Sequence, residues 1–155
     1  MTIDFYYVPM SPPCRVVMML AKALGVHLNL KFVDSFKGEH RKPEFTKINP
    51  QRTIPTMDDN GFILSESRAM MGYLVNRYGK NDSLYPKDPR KKGIVDQRLF
   101  FDIGTLYDNV FKCWVVVAFN MASTVQEEDV AAVEKSFEIL NTFLEDNAYV
   151  ADIRL

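Results

Sequence analysis

Histidine and cysteine are scarce in this 155-residue chain, which holds only His27 and His40, Cys14 and Cys113. Two cysteines cannot build a disulfide scaffold. Two histidines assemble no cluster at metal-ligand spacing, so no metal is expected. An excess of one charge is missing too: 19 basic residues stand against 20 acidic ones, for a formal net charge of -1. That balance removes charge-driven attraction to nucleic acid or a membrane surface. No apolar run approaches membrane length, and the N-terminus lacks the basic-then-apolar pattern of a secretion signal. The expectation is a cytoplasmic chain whose partners are neither nucleic acid nor membrane. What the chain does have is 47% hydrophobic residues, enough to bury a real core at this length.

The order of elements follows from periodicity. Residues 3–8 are aromatic and β-branched, as in a buried strand. Val17, Leu20, Ala21 and Leu24 then fall at helical spacing, with Gly25 as the stop. Leu28 to Val33 reads as a second strand, and the polar stretch from Asp34 to Lys47 as loop plus a short helix. Thr53-Ile54-Pro55-Thr56-Met57 enters a third strand. Asp59-Asn60-Gly61 is a hairpin turn, and Phe62-Ile63-Leu64 returns antiparallel. Glu66-Ser67-Arg68 opens another helix, stopped by Gly79. Residues 1–79 therefore read as βαβ-α-ββα, a four-stranded mixed sheet carrying helices. Residues 80–89, with Pro86 and Pro89, read as a linker, and 90–155 as purely helical. There, Leu99, Ile103, Leu106, Val110, Trp114 and Val117 line one long helix over 90–117. Val130, Val133, Phe137, Leu140 and Leu144 line a second over 126–145, expected to pair antiparallel with the first.

The first strand-to-helix turn, Pro9-Met10-Ser11-Pro12-Pro13-Cys14-Arg15, carries the chemistry. A thioredoxin-like fold keeps a Cys-x-x-Cys pair at such a turn. Ser11 takes the first position here, so no dithiol forms. What remains is a hydroxyl at a helix mouth, where backbone N–H groups favour an anion. It serves either as an ordinary N-cap or as a donor to the thiolate of a soluble thiol. Cys14, without a resolving cysteine, reads as a small buried hydrophobe.

Six segments together carry a resemblance. They are Ser11-x-Pro-Cys-Arg, Asn49-Pro50-Gln51-x-Thr53-Ile54-Pro55-Thr56, Asp59-Asn60-Gly61-Phe62, Glu66-Ser67-Arg68-Ala69, Tyr73-Leu74-Val75 and Asp82-Ser83-Leu84-Tyr85-Pro86. On these the chain resembles cytosolic glutathione transferases of the insect delta/epsilon type, closely over 3–112 and more loosely to Tyr149. The resemblance implies a thioredoxin-like α/β N-terminal domain and an all-α C-terminal domain, here C-terminally shortened. It implies glutathione as co-substrate, conjugation of its thiolate to small apolar electrophiles in detoxification, and a homodimer if the helical domain folds. A glutathione- or apolar-ligand-binding protein with little turnover is the alternative.

Residue by residue, the resemblance implies Ser11 as the catalytic hydroxyl. It implies a glutathione site of His40, Arg52, Thr53, Ile54, Pro55, Glu66, Ser67 and Arg68, with Pro55 a cis-proline. Met10 stands where the family commonly has glycine, and Arg52 where histidine is usual. By domain-level analogy Met10, Tyr107, Phe111, Val115 and Phe119 would line the acceptor pocket, although the default reading of the last four is helix core. Glu66-Ser67-Arg68 is either a charged first turn or a site for the γ-glutamyl end, with helix N–H groups for its carboxylate and Glu66 for its ammonium. His40 and Arg52 are either surface groups or partners of the glycyl carboxylate.

Overall fold

The computed structural model describes residues 2–118 and 124–151. The chain divides into two compact units, Met1–Tyr85 and Pro86–Leu155.

In the first unit, β1 (Ile3–Tyr7), α1 (Pro12–Leu24) and β2 (Leu28–Phe32) form a βαβ unit whose two strands run parallel, with Phe5 opposite Leu30. A 3-10 turn (Glu39–Arg41) and α2 (Pro43–Ile48) follow, then β3 (Thr56–Asp59), β4 (Phe62–Ser65) and α3 (Ser67–Tyr78). The sheet order is β2-β1-β3-β4, and β3 runs antiparallel to both β1 and β4. This is the mixed sheet of a thioredoxin-like domain, as the sequence pattern predicts.

Local chemistry explains the boundaries. β1 ends at Tyr7, one residue before the apolar run does, because the Val8 carbonyl turns to accept from Ser11 N at 3.1 Å. β2 likewise ends at Phe32, one residue short of the expected run. Pro12 and Pro13 occupy the first positions of α1, where no N–H is needed. Gly25 closes that helix at φ 71°, with Gly25 N donating to Lys22 O and Val26 N to Ala21 O, a Schellman end. At the hairpin, Asn60 (φ 54°) and Gly61 (φ 93°) both take the left-handed backbone that matches the twist of the flanking strands.

Ile3 and Phe5 alternate inward on β1 and meet Cys14 and Val17 of α1, Met57 of β3, and Met70 and Leu74 of α3. Each such side chain, fully removed from water, contributes about 1.5–3 kcal/mol. α1 and α3 pack together to cover this face.

The second unit contains α4 (Pro89–Phe101), α5 (Tyr107–Ala118) and α6 (Glu127–Leu144). Asp88 caps α4 by accepting from Arg90 N and Lys91 N. The expected long helix over 90–117 is interrupted: Asp102–Leu106 is a π-helical segment joining α4 to α5. A π turn adds a residue without breaking the axis, so the apolar spacing on either side does not reveal it. α6 runs antiparallel to α4–α5, since Phe101 meets Phe143 edge-on at 5.2 Å while Asn109 reaches back to Ala132 and Ser136. Arg98 lies over the Phe143 ring at 3.5 Å and donates from Nε to Val150 O at 2.9 Å. Among the described residues, no helix is long and apolar enough to cross a membrane.

Candidate functional site

The register of the sheet gathers the chemistry-bearing segments. Tyr6 on β1, Thr56 on β3 and Ser65 on β4 lie in one row across the strands, and Tyr7 lies beside Phe32 on β2. The chain leaving β1 leads to Ser11, and the chain leaving β2 leads to His40. Thr53-Ile54-Pro55 enters β3, and Glu66-Ser67-Arg68 follows β4. All four segments therefore belong to one end of one sheet.

Ser11 caps α1, its Oγ accepting from Cys14 N at a long 3.4 Å. Cys14 is wholly buried beneath it. Burial pushes the Cys14 thiol above its ordinary value, against smaller lowering effects from the Ser11 hydroxyl and the Val8 backbone. A buried thiol with a raised pKa is a poor nucleophile, so the packing role read for Cys14 fits its surroundings. Met10, next to Ser11, is exposed.

The segment entering β3 is held by its own side chains. The Ile54–Pro55 peptide is cis. Asn49 Nδ2 donates to Thr53 O (3.1 Å), Thr53 Oγ1 (3.1 Å) and Thr56 Oγ1 (2.9 Å), and Thr56 Oγ1 donates onward to Thr53 O at 2.9 Å. Arg52 sits at φ 58°, with its N–H donating to Asn49 O. Ile54 itself lies outside the sheet, and its N–H and C=O have no backbone partner among the described residues.

Glu66 precedes α3 at φ 67°, ψ 103°, a conformation unfavourable for a side-chain-bearing residue and common where a site dictates the backbone. Its own side chain is exposed, whereas Ser67 is buried and accepts from Arg68 Nη1 at 2.8 Å. His40, in the 3-10 turn, has a buried Nδ1 with no hydrogen-bond partner among the described residues. Burial, followed by the charges of Arg41 and Arg52, pushes its imidazole below the usual range. His40 and Arg52 are thus electrostatic neighbours, although twelve positions apart in sequence.

Tyr107, Phe111 and Val115 lie on α5 of the second unit, where Tyr107 stacks on Phe111 and Phe111 tilts against Trp114, each at 5.7 Å. Phe111 is exposed, unlike a core residue. Phe119 lies outside the described residues. Among those residues no group of three His, Cys, Asp or Glu is placed to hold a metal ion.

Two participants escape a residue-by-residue reading. Asn49 reads as a turn former beside Pro50, yet it is the hub of the loop. Asp59 reads as part of the hairpin, yet its carboxylate accepts from the hydroxyls of Tyr73 and Tyr78 on α3. An Asn followed by Thr at the fourth and seventh positions is the one signal that points to the first.

A mixed four-stranded sheet with serine where a redox pair would begin defines a thioredoxin-like domain that lacks the dithiol of a redox enzyme. A family model of the glutathione S-transferase N-terminal domain matches residues 5–82. A delta-class glutathione transferase from Nilaparvata lugens is 51% identical with TM-score 0.93, over 99% of this chain and 71% of that one. An epsilon-class enzyme from the housefly, Musca domestica, is 36% identical with TM-score 0.92, over 99% and 71%. A homologue from Drosophila mojavensis, solved with bound glutathione, is 34% identical with TM-score 0.92, over 97% and 69%. The chain belongs to the glutathione S-transferase family.

Proposed function

We propose that the chain conjugates glutathione to small apolar electrophiles, with Ser11 as the hydroxyl that holds the thiolate. The observation that carries this reading is the convergence of four segments at one sheet end: Ser11, His40, Ile54 and Ser67 belong to the loops that follow or precede one row of strand residues. Each offers the group that one part of a tripeptide thiol needs. The Ile54 backbone, without a backbone partner among the described residues, suits the cysteinyl unit as an added strand. The N–H groups opening α3, with Ser67, suit the γ-glutamyl carboxylate, and Glu66 its ammonium. The unpartnered His40 Nδ1 and the Arg52 charge suit the glycyl carboxylate. The relative from Drosophila mojavensis, solved with glutathione, supports the same ligand.

The reaction forms one S–C bond. A thiol of ordinary pKa near 8.5 is less than about a tenth ionised at neutral pH. A hydroxyl hydrogen bond to the thiolate lowers that pKa and sends the proton to solvent. The thiolate then attacks the electrophilic carbon, whose leaving group departs with the electron pair. Nucleophilicity falls with pKa along a Brønsted slope of about 0.4–0.5, so ionisation alone gains little. Most of the acceleration must come from holding thiolate and electrophile together. Tyr107, Phe111 and Val115 are the proposed acceptor side. Exposure of Phe111 and Trp114 favours, as a second reading, a glutathione-binding protein with little turnover.

Titration of the thiolate absorbance of the glutathione complex tests the first reading. Ser11→Ala should raise the pKa of bound glutathione by about one to two units, the worth of one charge-assisted hydrogen bond. It should cut turnover only by roughly 4- to 15-fold, because the more basic thiolate is the better nucleophile. An unchanged pKa rules out the role of Ser11. Turnover of a generic aromatic halide by the wild-type chain separates the transferase from the binding protein.

A further inference from the structure

We infer that Asn49 and Thr56 are positioning residues for glutathione, acting through the Thr53–Ile54 backbone without touching the ligand; the inference rests on the glutathione reading of the site. Asn49 is only 3% exposed, and its side-chain hydrogen bonds go to residues between 51 and 56. Its two Nδ2 protons face Thr53 O, Thr53 Oγ1 and Thr56 Oγ1, while its Oδ1 accepts from Gln51 N at 3.0 Å. A buried amide that only needed satisfying could bond to any nearby backbone. This one ties residues on both sides of Ile54 to each other.

Thr56 supplies the fixed point. It is fully buried, paired with Tyr6 of β1 and Ser65 of β4, and its hydroxyl donates back to Thr53 O. The Thr53 carbonyl is therefore held by two donors, one on Asn49 and one on the sheet. Thr53 and Thr56 flank Ile54, whose backbone groups have no backbone partner among the described residues. The bracket also reaches the γ-glutamyl corner: Ser65 Oγ donates to Gln51 Oε1 at 2.7 Å, one residue before Glu66. Positioning of about an ångström decides whether a peptide-like ligand meets its donors. A loosened Thr53 carbonyl leaves Ile54 free to wander by that much.

The test compares Asn49→Ala, Thr56→Val and Thr56→Ser in the full chain. Calorimetry reads glutathione affinity, and steady-state kinetics with an aromatic halide reads the KM of each substrate separately. Asn49→Ala, which loses the four contacts of its amide, and Thr56→Val, which loses the two of its hydroxyl, should each weaken glutathione binding by about tenfold or more, or about 1.4 kcal/mol. KM for the halide should stay within about twofold, since the bracket supports only the glutathione side. Thr56→Ser keeps the hydroxyl and should bind as wild type. If Asn49→Ala fails to fold, the Thr56 pair gives the same comparison. A folded Asn49→Ala or Thr56→Val that binds glutathione normally overturns the inference, as does an equal rise in both KM values. A wild-type chain that does not bind glutathione overturns the site reading first, and this inference with it.

Discussion

The two units are alike in apolar content and unlike in what they do with it. In the first, Ile3, Phe5, Val17, Met57, Met70 and Leu74 are shut away from water between one sheet face and the helices on it. In the second, the buried residue among those described is Ser136, a polar one, while Phe100 is 73% exposed, Phe137 52% and Trp114 43%. A sheet face covered by two helices encloses its side chains from several directions. A helix pair covers only the stripe between its members. Apolar spacing forms the helix in either case; burial requires something on the far side. The contacts that pair α4–α5 with α6 include Arg98 over Phe143, the Phe101–Phe143 ring pair and the Asn109–Ser136 bond.

The largest expected effect separates the units outright. Leu74→Ala empties a site in the closed core and should cost about 2–5 kcal/mol. Phe137→Ala, half in water already, should cost less than about 1 kcal/mol. Denaturant unfolding followed by hydrogen exchange in each unit reads both. Comparable losses would break the contrast. Trp114 is the one tryptophan of the chain, so its fluorescence reports the second unit alone. Its emission should be red-shifted and readily quenched, and should change at lower denaturant than exchange at Phe5 or Met57.

A second effect belongs to the first unit and depends on pH. Burial raises the Asp59 carboxyl, but hydrogen bonds from Tyr78, Tyr73 and Asn60, with the Arg77 charge, outweigh it and hold the group below the ordinary aspartate range. The same bond, followed by burial, pushes the Tyr78 hydroxyl up to about 12. A carboxyl depressed on folding stabilises the fold fully above its unfolded value near 3.9 and loses that contribution as pH falls through the folded one. Asp59→Asn should cost roughly 1.5–3 kcal/mol at neutral pH and flatten the acid limb of the stability curve. A limb unchanged in Asp59→Asn would mean that other carboxyls set it.

The contrast also explains what was legible in advance. Turns and helix ends were, because their chemistry is local: Gly25 needs its own positive φ, and Asn60-Gly61 matches the hairpin twist by itself. The order of elements along the chain followed from those turns and the periodicity between them. Asn49 and Asp59 were not, because their partners come from the fold. Asp59 meets hydroxyls 14 and 19 residues onward, and nothing in a hairpin turn announces tyrosines on a later helix. The proximity of His40 and Arg52 depends likewise on two loops meeting. The π segment escaped since an added residue within a helix leaves the flanking periodicity intact.

Smaller effects sharpen the picture of the second unit. Asn109 donates to Ser136 Oγ at 2.9 Å, and Ser136 donates to Ala132 O at 2.7 Å. Asn109→Ala removes the bond between helices and leaves the Ser136 hydroxyl satisfied within its own helix. The cost should be about 0.5–1.5 kcal/mol, seen as faster exchange in α5 and α6 with none in β1 or β3. Loss spread over both units would show that they unfold together.

The smallest expected effect concerns Phe100. Its ring lies mostly in water, so its removal takes little apolar surface out of a protected place. Surface replacements of this kind fall within about 0.5 kcal/mol, and Phe100→Ser should leave the unfolding midpoint unchanged. An exposed ring does promote association with other apolar surface. The same substitution should therefore lower the scattering of concentrated samples, measured by light scattering across a dilution series. A drop in stability of 2 kcal/mol or more, on the scale of a core truncation, would instead mean that Phe100 is covered in solution. The second unit would then possess the enclosed core that the first unit has.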